Sequence, residues 1–250
     1  MSGRLLDYTI GDPYQNLALE EALFRTAKVP LLRVWDNQRS VVLGRAQLAE
    51  AETDLDYCLG AGIPVVRRFT AGGTVYNGPG NTNWSFVVPK QSSEGPLVYA
   101  GDAKGVFIAF AHIVVDALRS CSLDAAFEEP NRIVDGEGLK ISGMAAYVSS
   151  ATVLCHGTLL MHADLGEAER VTTAPRHGIP AKYPRSRHAR IANCMADRGG
   201  FVRELAKASG VPADSGVPDH AETEMAGRLL ERKYSRREWN LGDPFGLDYS

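Results

Sequence analysis

The chain has 250 residues, with 27 basic and 30 acidic side chains, a formal net charge of −3, and 44% apolar against 23% charged residues. That balance excludes the disordered, collagenous and supercharged classes, and a chain of this length buries a substantial core without disulfide staples. A charge of −3 gives no whole-molecule field that would gather nucleic acid, so no nucleic-acid partner is expected.

In chain order, Arg4 to Ile10 reads as a strand, and Gly11-Asp12-Pro13 punctuates before a helix from about Tyr14 to Lys28, where Leu19, Ala22, Leu23, Thr26 and Ala27 form a core-facing stripe. Leu31 to Trp35 and Ser40 to Gly44 are aliphatic runs in a hairpin-like layout. Glu50 to Leu59 reads as a helix closed by Gly60-Ala61-Gly62, and Pro64 to Phe69 as the next strand. A Gly/Asn/Pro segment, Ala71 to Asn83, leads into a strand, Trp84 to Pro89, and Val106 to Ser120 is apolar almost all round, as a buried helix is. Ile133-Val134, Leu139 to Val148 and Thr152 to His162 are strand-like. A Pro- and Arg-rich stretch, Arg170 to Asn193, precedes helical patterns near Phe201 to Ser209 and Glu222 to Lys233. Sheet segments flanked by helices without strict alternation predict an α+β fold with a mixed sheet.

The N-terminus has no apolar run of signal-peptide length, and no window approaches the ~18 residues of a spanning helix, so no membrane association is expected. The four cysteines, Cys58, Cys121, Cys155 and Cys194, never form a Cys-x-x-Cys pair, and a reducing, cytoplasmic setting is expected.

Three segments could carry chemistry. In Arg67-Arg68-Phe69-Thr70-Ala71-Gly72-Gly73-Thr74-Val75-Tyr76-Asn77-Gly78, paired glycines between strands let the backbone approach a ligand and turn N–H groups outward, while Arg68 could meet the same anion. An ordinary glycine turn fits these residues as well, and neither phosphate-loop nor dinucleotide fingerprints are present. In Leu139 to Ala145, strand alternation would put Lys140, Ser142 and Met144 on one face and Leu139, Ile141 and Gly143 on the other. Lys140 could steady charge on an oxygen or be a solvated lysine. In Thr152 to His162, His156 is a possible pocket residue and His162 a hydrogen-bonded structural one, and no metal site is assigned because no ligand set has suitable spacing. The basic stretch containing Arg170, Arg176, Lys182, Arg185, Arg187 and Arg190 reads as a surface loop or as a cover over an anion.

Together these segments resemble the lipoate-protein ligase A family, within the group that includes biotin-protein ligases and lipoyl or octanoyl transferases. The family pattern Arg-Arg-x-Ser-Gly-Gly-Gly-x-Val-x-His-Asp is matched by Arg67 to Gly78, its Asn-x-x-Phe-Ser-Phe continuation by Asn81 to Phe86, and Lys-x-Ser-Gly-x-Ala by Lys140 to Ala145. His156 to Leu160, Arg187 to Asn193 and Tyr234 to Asn240 match further elements in the same order.

The resemblance implies a mostly antiparallel mixed sheet flanked by helices, like class II synthetases and biotin-protein ligases, as one catalytic domain over 1–250 with a helical tail from about 197. It implies activation of lipoate with ATP and Mg2+ to lipoyl-adenylate, then transfer to a lysine of a lipoyl-domain carrier, an E2 or glycine-cleavage H-like protein. Arg68, Gly72, Gly73, Thr74, Val75 and Tyr76 would bind ATP and the lipoyl-adenylate, with Lys140 against carboxyl and phosphate. Asn83, Asn131, Gly143 and His156 would line the pocket. Ala71 replaces the first glycine and requires a negative φ there, while Asn77-Gly78 and Arg132 stand where the family has His-Asp and an aspartate. Longer members continue into an accessory domain, which implies either a separate small accessory protein or a chain that works alone. The alternatives are an ATP-independent octanoyl or lipoyl transferase using a cysteine, and a non-catalytic module that binds lipoylated carriers.

Overall fold

A computed structural model of the chain describes residues 3–92, 95–98, 101–172 and 179–247. Seven strands, β1 (Arg4–Asp7), β2 (Leu31–Trp35), β6 (Asn81–Pro89), β7 (Ala125–Glu128), β8 (Arg132–Asp135), β9 (Lys140–Val148) and β10 (Thr152–Leu160), form one sheet in the order β1-β2-β6-β10-β9-β8-β7. All neighbours are antiparallel except β1 and β2. A second sheet, β4-β3-β5, joins β3 (Ser40–Leu43), β4 (Val65–Arg67) and β5 (Val75–Asn77). The expected mixed sheet is present, but the Gly/Asn/Pro segment supplies β5 and the first three residues of β6, and β7 lacks the β-branched residues that would have marked it.

The large sheet sorts its faces by alternation. One face, with Leu32, Val34, Trp84, Phe86, Met144 and Cys155, packs against α4 (Ala103–Ser120) and α6 (Arg198–Ser209) through Phe110, Val114, Phe201 and Leu205. The other carries Leu31, Val87 and Leu154 against Leu19, Leu23 and Phe24 of α1 (Pro13–Thr26), whose N-cap is Asp12. The amphipathic stripe read for α1 understates its burial, because every residue from Asn16 to Phe24 is buried. The small sheet sits between α1 on one side and α2 (Ala49–Glu52), α3 (Leu55–Gly60) and α5 (Leu165–Thr172) on the other.

The carboxy-terminal segment, α7 (His220–Leu229), a π-helical turn (Leu230–Tyr234) and α8 (Arg237–Leu241), is bolted to these elements by buried polar contacts. Glu21 of α1 takes Lys233 at 2.8 Å and the Tyr234 hydroxyl at 2.5 Å. Arg67 of β4 is fully buried and donates to the carbonyls of Trp239, Asn240 and Gly242 and, on its other side, to those of Gly44, Arg45 and Gln47. No helix among the described residues is long and apolar enough to cross a membrane.

A candidate acyl-nucleotide site at the glycine loop

Between β4 and β5 the chain turns through Arg68 to Thr74. Gly72 has φ +100°, and a Cβ there would stand 2.9 Å from Arg68 Nη2, so both backbone conformation and space require glycine. A Cβ on Gly44 would lie 2.0 Å from the Gly72 carbonyl, which is how closely the loop drapes over the end of β3. Ala71 is not among the non-glycine residues with positive φ, so the condition for alanine at this position is met. Arg68 lies beneath the loop. Its Nη2 donates to the carbonyls of Ala71 (2.9 Å) and Gly73 (2.8 Å), its Nη1 to Val42 O (3.3 Å) and its Nε to Thr70 Oγ1 (2.9 Å). Burial pushes this guanidinium down to about 10, against the pull of Glu20. Arg68 therefore acts first as the prop that turns the loop carbonyls inward.

The second segment meets the loop from β9. A bulge in the pairing of β8 with β9 leaves Ile133 opposite Ser142 and Val134 opposite Lys140, so Ile141 is the extra residue. An extra residue shifts the two-residue alternation by one. The expected grouping of Lys140 with Ser142 and Met144 is thereby overturned. Ile141 and Met144 both enter the core, Ser142 is buried, and Lys140 lies over Gly143, where an added Cβ would be 2.8 Å from its Cε and Nζ. Ala145, on the same face, comes within 3.4 Å of the Cβ position of Gly72. The glycine loop and the strand bearing Lys140 thus converge. The ammonium has no ion-pair or hydrogen-bond partner among the described residues, and burial, then Arg132 and Arg68, hold its pKa below the usual lysine value.

Register builds the floor. Gly143, Thr158, Asn83 and Trp35 lie side by side across β9, β10, β6 and β2, with Thr158 Oγ1 donating to Asn83 Oδ1 at 2.8 Å. The next row on this face is Ala145, His156, Ser85 and Arg33. Over the first row lies a cavity of about 380 Å3, walled by the glycine loop, Leu17, Val42, Trp35, Asn131 and His156. Asn131 shapes its edge by donating to Met144 O at 2.7 Å. A second cavity of about 690 Å3 opens on the other side, bounded by α5, Thr74, Val75, Tyr76 and residues 185–191. The two share Lys140, Gly143, Thr158, Thr74, Val75 and Arg185 to Arg187.

Part of the Arg-rich stretch covers the two cavities, residues 184–187 lining the smaller and residues 185–191 the larger. Lys140 N–H donates to Arg190 O (2.9 Å) and Ala192 N–H to Lys140 O (3.1 Å), which ties the cover to β9. Ser186 Oγ accepts the Thr74 N–H at 2.7 Å and Gln47 Nε2 at 3.0 Å, and it is also bonded to the buried Glu52, which pairs with Arg185. Arg187 and Arg190 have no side-chain partner among the described residues, whereas Arg170 is paired with Asp54, and Arg176 lies outside the described residues. Tyr76 lines the larger cavity, but its hydroxyl points away, to Glu167. His162, expected to be a bonded structural residue, is exposed because it follows the end of β10. No group of three or more His, Cys, Asp or Glu that could hold a metal occurs among the described residues. Of the carboxylates that line the two cavities, Glu52 is engaged by Arg185 and Ser186 and Glu20 by Ser85 and His156, and Glu169 also lines the larger one; these scattered groups do not form a cluster that fits a protein-held Mg2+.

Thus Gly72, Gly73, Thr74, Val75, Asn83, Asn131, Lys140, Gly143 and His156 gather around the smaller cavity, with Arg68 beneath. Glu20, Thr70, Gln47, Glu52 and Ser186 were missed. Glu20 sits in a Glu-Glu pair that looks solvated, and no sequence signal separates it from an exposed acid.

Comparison with known proteins places the chain in a family. A model of the lipoyl protein ligase A/B catalytic domain matches residues 12–197. The lipoate-protein ligase A subunit 1 of Thermoplasma acidophilum is 33% identical, over 97% of each chain, and the lipoate-protein ligase LplJ of Bacillus subtilis is 28% identical over 96% of this chain and 74% of its own. A solved T. acidophilum structure, from work on a bi-partite lipoate protein ligase and its E2 lipoyl domain, superposes with a TM-score of 0.84 at 30% identity over 100% of this chain and 99% of its own. A second T. acidophilum structure, with bound lipoic acid, gives 0.81 at 31% identity over 97% of this chain and 99% of its own. A lipoate-protein ligase A bound with ATP gives 0.82 at 30% identity over 97% and 100%. On the family match and on the paired-glycine loop that meets Lys140, the chain belongs to the lipoate-protein ligase A family.

Proposed function

We propose that this chain ligates lipoate to a carrier lysine by way of lipoyl-adenylate, with Lys140 at the point where the two substrates meet. The observation that carries the reading is the unpartnered ammonium of Lys140 on the wall shared by two cavities. Relatives of the same fold have been solved with lipoic acid and with ATP. The smaller cavity suits the acyl chain. The row from Gly143 to Trp35 crosses three strand spacings, about 14 Å, which is long enough for the eight-carbon chain of lipoate. The larger cavity, edged by Arg185, Arg187 and Arg190, suits the nucleotide.

In the first step a lipoate carboxylate oxygen attacks the α-phosphorus of ATP, and pyrophosphate leaves. Lys140 sits where both anions would lie, and it neutralises charge that would otherwise oppose their approach. In the second step the carrier's neutral lysine nitrogen attacks the acyl carbon, a proton leaves that nitrogen, and AMP departs. Magnesium would enter with the triphosphate as part of the substrate and neutralise its phosphates; among the described residues no group of three or more His, Cys, Asp or Glu could hold it. The carrier is a lipoyl-domain protein of the E2 or glycine-cleavage H type, and a separate small accessory protein completes the ligase, as the subunit 1 and bi-partite relatives suggest. The setting is cytoplasmic.

A cysteine-dependent transferase is disfavoured. No cysteine lines either cavity, and Cys155 is fully buried on the core face, where burial pushes its thiol far above the ordinary range. The test is incubation with ATP, magnesium, lipoate and a lipoyl-domain acceptor, with and without an accessory protein, read by intact mass. Wild type adds one lipoyl group, and Lys140→Ala lowers the rate by roughly 10²–10³. An unchanged rate in the variant would remove Lys140 from the mechanism.

A further inference from the structure

A line of side chains runs from the buried face of α1 to the glycine loop, each link within hydrogen-bond distance of the next. Glu20 Oε1 lies 2.5 Å from Ser85 Oγ and 2.8 Å from His156 Nδ1. Across the imidazole, Nε2 lies 2.9 Å from Thr70 Oγ1, which in turn lies 2.9 Å from Arg68 Nε. Arginine Nε–H can only donate, so Thr70 accepts there with a lone pair. The Thr70 hydroxyl proton meets His156 Nε2 in the arrangement that leaves that nitrogen bare and the ring proton on Nδ1, directed at Glu20; in the other arrangement a second lone pair of Thr70 accepts from Nε2–H. Glu20 meets Ser85 and His156 through Oε1, while its Oε2 is buried with no hydrogen-bond partner among the described residues. Burial works against its charge, but its contacts with His156 and Ser85 and the nearby Arg33 outweigh burial and hold its pKa below the ordinary carboxylate value.

We infer that His156, fixed in the Nδ1–H tautomer by Glu20, is a positioning residue for the glycine loop, acting through Thr70 on the guanidinium of Arg68. The inference rests on the ligase reading of the site. Thr70 holds Nε, so the plane of the guanidinium is set, and Nη2 is aimed at the carbonyls of Ala71 and Gly73. Those two bonds decide which way the loop peptides face. Their N–H groups then lie on the ligand side, where Thr74 N–H already meets the Ser186 hydroxyl. The order of influence is α1, then β10, then the loop, and none of the three intermediaries needs to touch the reacting atoms.

The experiment uses the full chain with Thr70→Val, which keeps shape but removes the hydroxyl, and Thr70→Ser, which restores it. Lipoate-dependent ATP–pyrophosphate exchange should show kcat down by about tenfold or more in Thr70→Val, the scale of one hydrogen bond to a charged group, with KM for lipoate little changed. Thr70→Ser should return close to wild type. Ring ¹⁵N spectra should show His156 protonated at Nδ1 and bare at Nε2, the signals being assigned by their loss in His156→Asn. Wild-type kcat in Thr70→Val, failure of Thr70→Ser to recover, or a proton on Nε2 would each overturn the inference. Absence of exchange in the wild-type protein would instead refute the ligase reading, and the tautomer measurement would still decide the relay.

Discussion

Gly143→Ala should separate activity from stability in opposite directions. An added Cβ would stand 2.8 Å from both Cε and Nζ of Lys140, whereas ordinary contact begins near 3.4 Å, so the amine must withdraw by about 0.6 Å. The atoms it meets are the free end of a flexible side chain, so the fold has little to repack. The backbone is also compatible, because Gly143 is not among the glycines with positive φ and lies mid-strand between β8 and β10. Replacing a mid-strand glycine with alanine contributes about 0.5–1 kcal/mol, which raises Tm by roughly 1–4 °C in a chain of this size. The displaced ammonium costs more. Sub-ångström errors in placing a charge against two converging anions are worth about 10- to 100-fold in rate. Thermal unfolding and lipoate-dependent pyrophosphate exchange on the same sample check both halves. Activity within twofold of wild type, or a Tm lower by several degrees, would refute the geometry on which the site is built.

The lowered pKa of Lys140 sets a pH dependence. Burial, then Arg132 and Arg68, disfavour its charge, and a bound anion favours it, so binding takes up a proton wherever the free amine is neutral. Affinity for a lipoyl-adenylate analogue should therefore be flat below that depressed value and fall by up to about tenfold per pH unit above it, and Lys140→Arg should flatten the alkaline limb in calorimetric titrations. Arg67→Lys leaves several of six carbonyls, four of them in buried bonds, without a donor, and should destabilise by about 2–4 kcal/mol in chemical denaturation. Replacing all four cysteines with alanine should leave lipoyl transfer within about threefold, because none lines a cavity and cysteine behaves here as a small apolar filler. Loss of transfer traced to one position would restore the thioester mechanism.

Much of the site was legible because its requirements are local. Paired glycines at a close backbone approach, and a lysine beside a glycine, announce themselves in a single stretch, and the structure places both around one cavity. The face of Lys140 was not legible, because a bulge at Ile141 is invisible to an alternation rule that assumes unbroken pairing. Glu20 escaped for a different reason. A carboxylate on a helix reads as solvated unless its partners are known, and those partners, Ser85 and His156, stand 65 and 136 residues away. The same holds for Ser186 and Glu52, which meet across 134 residues. Fold class followed from strand and helix texture, but the division into two sheets did not, since β5 is three residues long within a segment composed like a turn.

Two pairs of neighbours in the chain, Glu20 with Glu21 and Arg67 with Arg68, each divide their allegiance. Glu20 and Arg68 serve the cavity, while Glu21 and Arg67 grip the last helices of the described chain. One peptide bond joins the members of each pair, so a shift at Lys233 or Trp239 that moved Glu21 or Arg67 would have the shortest possible covalent path to the loop. Thermodynamic reciprocity then makes the tail a lever: whatever grips it more tightly in one loop conformation must itself be gripped more tightly when the cavity is filled.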